Sequence, residues 1–138
     1  MKKWRFSLDY PIGDGRKITF QHYGLNRDQN WFAPGIKNPS VEELDILFGG
    51  IDSEIIFYGH KHDEDDRKGR CRYVNLGSVG CYYKPEVRIG ILELSEGKFE
   101  LEKRSIPYDD GLMEEFEIRK VPVRERITHT FIKRDETH

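Results

Sequence analysis

The chain has 138 residues, of which 36% are hydrophobic and 35% are charged, which predicts one folded domain or part of one. The net charge of −2 argues against a basic surface that follows a nucleic-acid backbone, and no apolar run approaches the roughly 18 residues of a membrane span. The two cysteines make no disulfide framework, so we expect a reduced, cytoplasmic protein.

Two strands and a long loop are predicted first. Residues 4–8 alternate between apolar and polar, residues 10–15 supply turn chemistry, and residues 17–22 alternate again. These patterns indicate a connected strand pair. Residues 23–39 are rich in Gly, Asn and Pro and predict a long irregular loop, a feature that is commonly functional inside a compact domain.

A helix and a buried strand follow the loop. Residues 40–43, Ser-Val-Glu-Glu, have the pattern of a capping box, which begins a helix that Gly49 and Gly50 end. Residues 54–58 are almost all apolar and predict a buried strand. This step from helix to strand predicts an α/β fold.

The second half of the sequence predicts more strands and then helices. The charged segment 63–68 is expected to be a solvated loop, and Asp109 or Asp110 is expected to cap a helix. The remaining elements are a strand over 70–75, a hairpin of strands 87–94 and 98–106 around a glycine turn, and a last short helix over 123–132. We therefore expect mostly one β-sheet with one or two flanking helices and a β-hairpin.

Histidines and a glycine loop follow three of the predicted strands. His22 ends one strand, Gly59-His60-Lys61-His62 follows the next, and a third strand ends in Asn75-Leu76-Gly77-Ser78. Two histidines one residue apart can direct their imidazoles toward a common point, as transition metals require, although a plain surface loop is an equal alternative. Because ligands collect beyond the carboxyl ends of strands in α/β folds, the three histidines are expected to converge there.

The order of these motifs resembles the carboxyl-terminal half of the calcineurin-like metallophosphoesterases, in particular the small bacterial and archaeal phosphodiesterases. In that family a strand ends in a metal-binding His before Gly, the next motif is Gly-His-Thr-His, and Asn-Pro-Gly-Ser precedes a hairpin. The resemblance covers roughly residues 4–108. The sequence departs from the pattern at Tyr23, Lys61 and Leu76, none of which replaces a ligand.

The resemblance implies a four-layer α-β-β-α sandwich that binds two divalent ions of manganese, iron or zinc. It implies that His22 and His60 bind one ion and His62 the other, and that residues Asn75, Gly77 and Ser78 contact a phosphate-ester substrate. A pair of such ions activates water near neutral pH and neutralises charge that develops on the phosphoryl oxygens. Residues 1–108 would be the carboxyl-terminal half of the domain, and residues 109–138 its helical segment and tail.

The family's acidic motifs have no counterpart in the sequence. Asp-x-His, Gly-Asp-x-x-Asp and Gly-Asn-His are absent, and Gly13-Asp14-Gly15-Arg16-Lys17 has Lys17 where the second motif has its acid. We therefore expect this chain to be the carboxyl-terminal portion of a longer domain, with no catalytic residue of its own and no hydrolysis alone. At most one adventitious zinc or nickel ion is expected on the histidines.

An incomplete sandwich exposes an apolar sheet face, so self-association is expected. A scaffold of the same fold without catalysis is the alternative function.

A cupin-like barrel also uses His-x-His, but Glu64 is too close to the pair and His129 lies in a predicted helix. His129 and His138 are expected to be surface or tail residues.

Overall fold

The computed structural model describes residues 6–82, 84–95, 98–109 and 111–131. Its elements in chain order are β1 (Ser7–Gly13), β2 (Arg16–Gln21), α1 (Val41–Leu47), β3 (Ile55–Tyr58), β4 (Asp65–Lys68), β5 (Arg72–Asn75), β6 (Glu86–Ser95), β7 (Lys98–Pro107), α2 (Leu112–Ile118) and α3 (Arg124–Phe131). Within these described residues, every helix is too short or too polar to cross a membrane.

A five-stranded mixed sheet forms the centre of the fold. Its strand order is β1-β2-β3-β5-β4; β2, β3 and β5 are mutually parallel, and the two edge strands are antiparallel to their neighbours. Strands β6 and β7 pair with each other in a separate antiparallel hairpin. The expected α/β class, with one main sheet, few helices and a hairpin, is therefore confirmed.

Helix α1 covers one side of the sheet, which we call the helix face. The helix begins with the predicted capping box, in which Ser40 and Glu43 each accept a hydrogen bond from the other's backbone amide. Side chains from α1, β3, β5 and the adjoining loops form a buried cluster between helix and sheet, whose members are Tyr23, Leu44, Phe48, Ile56, Tyr58, Cys71 and Tyr73. This cluster anchors the end of β3 that precedes His60.

The hairpin of β6 and β7 covers part of the opposite side, which we call the hairpin face. Ile18, Ile55, Phe57 and Val74 form its buried centre. Leu92, Phe99 and Leu101 of the hairpin pack against that centre. Since strand residues alternate between two faces, the sheet lies as a middle layer between helix and hairpin.

Three local predictions are corrected by the structure. Strand β1 continues through the predicted turn to Gly13, because an edge strand tolerates Pro11 and the chain turns at Asp14 and Gly15. Residues 65–68 of the expected solvated loop form β4, which pairs with β5. The N-cap of α2 is Gly111 and not Asp109.

Several predicted positions lie outside the described residues. They are Trp4 and Arg5 of the first strand, the hairpin turn at 96 and 97, Asp110, and the tail from residue 132 onward, which includes His138. Cys71 and Cys81 are both described, and both are free thiols.

Candidate metal centre

Three parallel strands end at the same edge of the sheet and bring the predicted motifs together. His22 follows β2, Gly59 and His60 follow β3, and Asn75 is the last residue of β5. Because β2, β3 and β5 are adjacent and parallel, their carboxyl ends necessarily meet at one edge.

His22 and His60 are neighbours at this edge. Their ring centroids lie 5.6 Å apart and their planes are nearly perpendicular, at 86°. Partial burial lowers the pKa of the His22 imidazole, and the nearby His60 lowers it further. A lowered pKa favours the neutral imidazole, which is the form that binds metals.

The backbone around His60 is held in an uncommon conformation. His60 has a φ of +70°, which lies in the left-handed region that costs a non-glycine residue roughly 1–2 kcal/mol. The Gly59 amide donates to the His22 carbonyl at 2.8 Å, and the Asn75 side-chain amide donates to the Lys61 carbonyl at 2.8 Å. These hydrogen bonds fix the turn on both sides of His60.

Aromatic side chains and glycines shape the space around the two imidazoles. The Tyr23 ring lies 4.7 Å from the His60 ring, and its hydroxyl accepts a hydrogen bond from the Ile36 amide. A side chain at Gly35 would begin 2.9 Å from Nε2 of His60, so this glycine makes room for the ring. Tyr23, a departure from the family pattern, thus supports His60.

His62 lies further along the same turn and is exposed. Its carbonyl accepts a hydrogen bond from the Ser78 amide at 3.1 Å. In the part of the chain that the structure describes, no three His, Cys, Asp or Glu side chains are grouped closely enough to hold a metal ion. The assignment of His22, His60 and His62 as metal ligands therefore stays a prediction, and the pair brought together is His22 and His60.

The Asn75–Ser78 loop lies directly beside the histidine turn. Asn75 is buried, and its side-chain oxygen accepts from the Gly77 amide at 2.9 Å while its nitrogen binds the Lys61 carbonyl. Gly77 has a φ of +87°, and a side chain there would meet Arg88. Ser78 Oγ accepts from the Cys81 amide at 2.7 Å. The loop thus has its predicted position, and its contact with substrate stays a prediction.

Lys61, between the two histidines, is paired with a buried acid. Its ammonium lies 3.6 Å from the Asp65 carboxylate, and the two side chains are 16% and 7% exposed. The Tyr58 hydroxyl donates to the same carboxylate at 3.0 Å, and Arg67 Nε donates to it at 2.7 Å. The ammonium of Lys61 is therefore held in an ion pair that is largely shielded from solvent.

An open groove of about 610 Å³ on the hairpin face begins at His22. Its apolar part includes Leu8, Phe20 and Phe57, and the rings of Phe20 and Phe57 stack at 5.0 Å. Arg88 lies at the polar part, with its guanidinium 3.7 Å from the centre of the Tyr82 ring. The hairpin therefore leaves uncovered the region of this face next to the histidines.

Sequence reasoning missed Gly35, Phe32 and Asp65. Gly35 and Phe32 belong to the long loop 23–39, and the Phe32 ring lies 5.2 Å from the His22 ring. A loop without periodicity gives no signal for which residues return to the site. Asp65 was hidden because it stands among five other charged residues of segment 63–68.

No protein-family model and no curated protein matches the sequence. Among solved structures, the hypothetical protein PH1004 from Pyrococcus horikoshii is similar, with a TM-score of 0.64 and 15% identity. The alignment covers 94% of this chain and 51% of that protein, so the chain spans about half of its length. At this identity the likeness shows the fold alone.

Two weaker likenesses were found. Protein TM1076 from Thermotoga maritima has a TM-score of 0.45 and 24% identity over 73% of this chain and 54% of its own. Vacuolar Protein Sorting 29 from Cryptosporidium parvum has a TM-score of 0.38 and 17% identity over 75% of this chain and 57% of its own. At these scores neither likeness indicates a shared fold.

Proposed function

We propose that this chain is the carboxyl-terminal portion of a metal-dependent phosphoesterase of the calcineurin-like type. The observation that carries the proposal is the His22–His60 pair, with rings 5.6 Å apart at the ends of adjacent parallel strands. The Asn75–Ser78 loop at the end of the next strand supports it, because the three motifs occur at one sheet edge in the family's order.

The spacing of the two imidazoles fits a shared ion. Metal–nitrogen bonds of about 2.0–2.1 Å bring the centroids of two imidazoles on one tetrahedral ion to about 5 Å apart. In the proposal His22 and His60 hold one divalent ion and His62 contributes to a second, with manganese, iron or zinc as the metal. Bound ions would supply activated water and neutralise phosphoryl charge.

The residues of this chain would hold and orient the histidines and the substrate. Asn75 fixes the turn through the Lys61 carbonyl, and Tyr23 supports the ring of His60. The Ser78 hydroxyl, with Arg88 at the end of the groove, is suited to contact a phosphate ester, since the amides of Gly77 and Ser78 already donate to other groups of the chain. The carboxylate ligands and the catalytic histidine would come from the other half of the domain.

The complete domain would be the four-layer α-β-β-α sandwich. The helix, the main sheet and the hairpin would correspond to three layers, with the hairpin as part of the second sheet. Further strands of that sheet would cover the groove beside His22. The exposed apolar side chains of Leu8 and Phe20 support this arrangement.

Hydrolysis of a chromogenic phosphodiester with Mn²⁺ tests the proposal. We expect no turnover by this chain alone, and turnover when the polypeptide encoded upstream is joined to it or added to it. His60→Gln in the completed protein should remove activity, whereas His129→Gln, in helix α3, should leave it unchanged. Equal activity with and without His60 would contradict the proposal.

A non-catalytic scaffold of the same fold is the second candidate, and the groove favours it. Apolar side chains exposed on one sheet face are typical of a surface that binds protein. Self-association through this face is the form of binding that we propose for the chain alone. A completed protein that binds no metal and hydrolyses no phosphate ester would favour the scaffold.

A further inference from the structure

We propose that Asp65 is a positioning residue of the histidine turn, which offsets part of the charge of Lys61 and holds its ammonium on the helix face. This inference rests on the proposed function, since it concerns the same histidines. It adds a charge balance that neither the strand-end motifs nor the comparisons assign.

Lys61 creates an electrostatic problem for the binding of metal ions at this turn. Lys61 places a cation between His60 and His62, the two residues proposed to bind divalent ions. Its side chain is only 16% exposed, so solvent screens its charge poorly. An unpaired ammonium in this position would oppose the binding of a second cation.

Asp65 has the contacts required to solve this problem. Its carboxylate lies 3.6 Å from the Lys61 ammonium and accepts hydrogen bonds from Tyr58 and from Arg67. Tyr58 is the last residue of β3, and Arg67 also donates to the carbonyl of Pro39, at the end of the long loop. One carboxylate therefore joins the turn to β3, to β4 and to the start of helix α1.

The pairing of β4 with β5 determines the face of the sheet on which Asp65 lies. Asp65 pairs with Asn75, which binds the Lys61 carbonyl, so the backbone and the side chain of Lys61 are both held from the same part of the sheet. Asp66 pairs with Val74 and therefore lies on the hairpin face, where it binds Arg72 and Lys103. The two neighbouring acids thus form a matched pair for mutagenesis.

The first experiment uses the metal-free chain and NMR. We expect Asp65→Asn to shift the imidazole signals of His60 and His62 and to weaken the contact between the His22 and His60 rings. Asp66→Asn should leave these signals unchanged. Equal effects of the two variants would overturn the positioning role, and amide spectra confirm that each variant is folded.

The second experiment measures Zn²⁺ binding by calorimetry. Asp65→Asn should weaken affinity about tenfold or more, the loss usual for groups that orient metal ligands. The double variant Asp65→Asn with Lys61→Met should recover most of the loss, because the unpaired cation is gone. A merely structural role for Asp65 would give no recovery, and that result would overturn the proposal.

The single variant Lys61→Met separates the effect of the cation on metal binding from the effect of Asp65 on folding. It keeps the bonds of Asp65 to Tyr58 and Arg67, so the fold should persist and Zn²⁺ affinity should stay equal or rise. Weaker binding in this variant would overturn the proposal. Failure of the wild-type chain to bind Zn²⁺, or equal binding by His60→Gln, would instead count against the proposed metal site, and the NMR experiment would still decide the role of Asp65.

Discussion

The two faces of the sheet differ in how completely they are covered. On the helix face, Phe48 is 1% exposed and packs among the rings of Tyr23, Tyr58 and Tyr73. On the hairpin face, Leu8 is 59% exposed and Phe20 is 38% exposed, although both belong to the same sheet. The helix face buries the larger cluster of side chains, and the open region of the hairpin face adjoins His22.

The acidic side chains on the two faces of the sheet also differ in their surroundings. On the helix face, the buried carboxylate of Asp65 binds Tyr58 and Arg67, and such groups are stable only when they are fully hydrogen-bonded. On the hairpin face, Asp66 forms ion pairs with Arg72 and Lys103 at the rim between sheet and hairpin. The first network includes an ion pair with Lys61 in the turn after β3, and the second joins the hairpin to the main sheet.

The largest expected effect is the loss of folding stability when a side chain is truncated in the core of the helix face. Phe48→Ala should lower the free energy of unfolding by about 3–5 kcal/mol, because it leaves a cavity among fixed aromatic rings. Phe20→Ala, on the open face, should cost about 1 kcal/mol, since its ring is partly in water already. Urea denaturation at one fixed protein concentration measures both, and equal costs would show that the two faces do not differ.

The next effect concerns association through the open face. Leu8→Glu should weaken self-association about tenfold or more, because a carboxylate is costly to bury in an apolar contact. Ile46→Glu is the control, as Ile46 is 81% exposed on helix α1 and away from the groove. Sedimentation equilibrium measures both variants. Association that is weakened as much by Ile46→Glu would exclude the groove as the contact surface.

The sequence predicted most of the elements because their signals are local. The capping box at Ser40 and Glu43 defined the start of α1, and a glycine turn between two strand-like segments predicted the hairpin. The convergence of His22 and His60 was predictable once β2 and β3 were taken as parallel, since parallel strands share their carboxyl edge.

The rest depends on contacts distant in sequence. Pairing of Asp65 with Asn75 turned a charged segment into an edge strand with one buried carboxylate, which no local pattern indicates. The approach of Gly35 to His60 likewise depends on the path of a long loop. From its charge alone, Asp65 was expected to be exposed to solvent. Its ion pair and hydrogen bonds instead stabilise the carboxylate in a buried position.

The smallest expected effect is the pH dependence of folding stability that comes from the ion pairs of Asp66 at the rim of the hairpin face. Hydrogen bonding to Arg72, the largest cause, and the interactions with Lys103 together lower the pKa of Asp66 to about 2. Because the folded pKa lies below the unfolded value, the stabilisation is present above about pH 4 and disappears as the pH falls toward 2. Solvent screening limits it to about 1 kcal/mol.

Asp66→Asn should therefore lower stability near pH 6 and have a much smaller effect near pH 2, as measured by urea denaturation across this range. Glu102→Gln, which alters an exposed pair with Arg104, should change little at any pH. If Asp66→Asn cost the same at both ends of the range, the rim pairs would not attach the hairpin by charge. Apolar contacts of Leu92, Phe99 and Leu101 would then hold this layer by themselves.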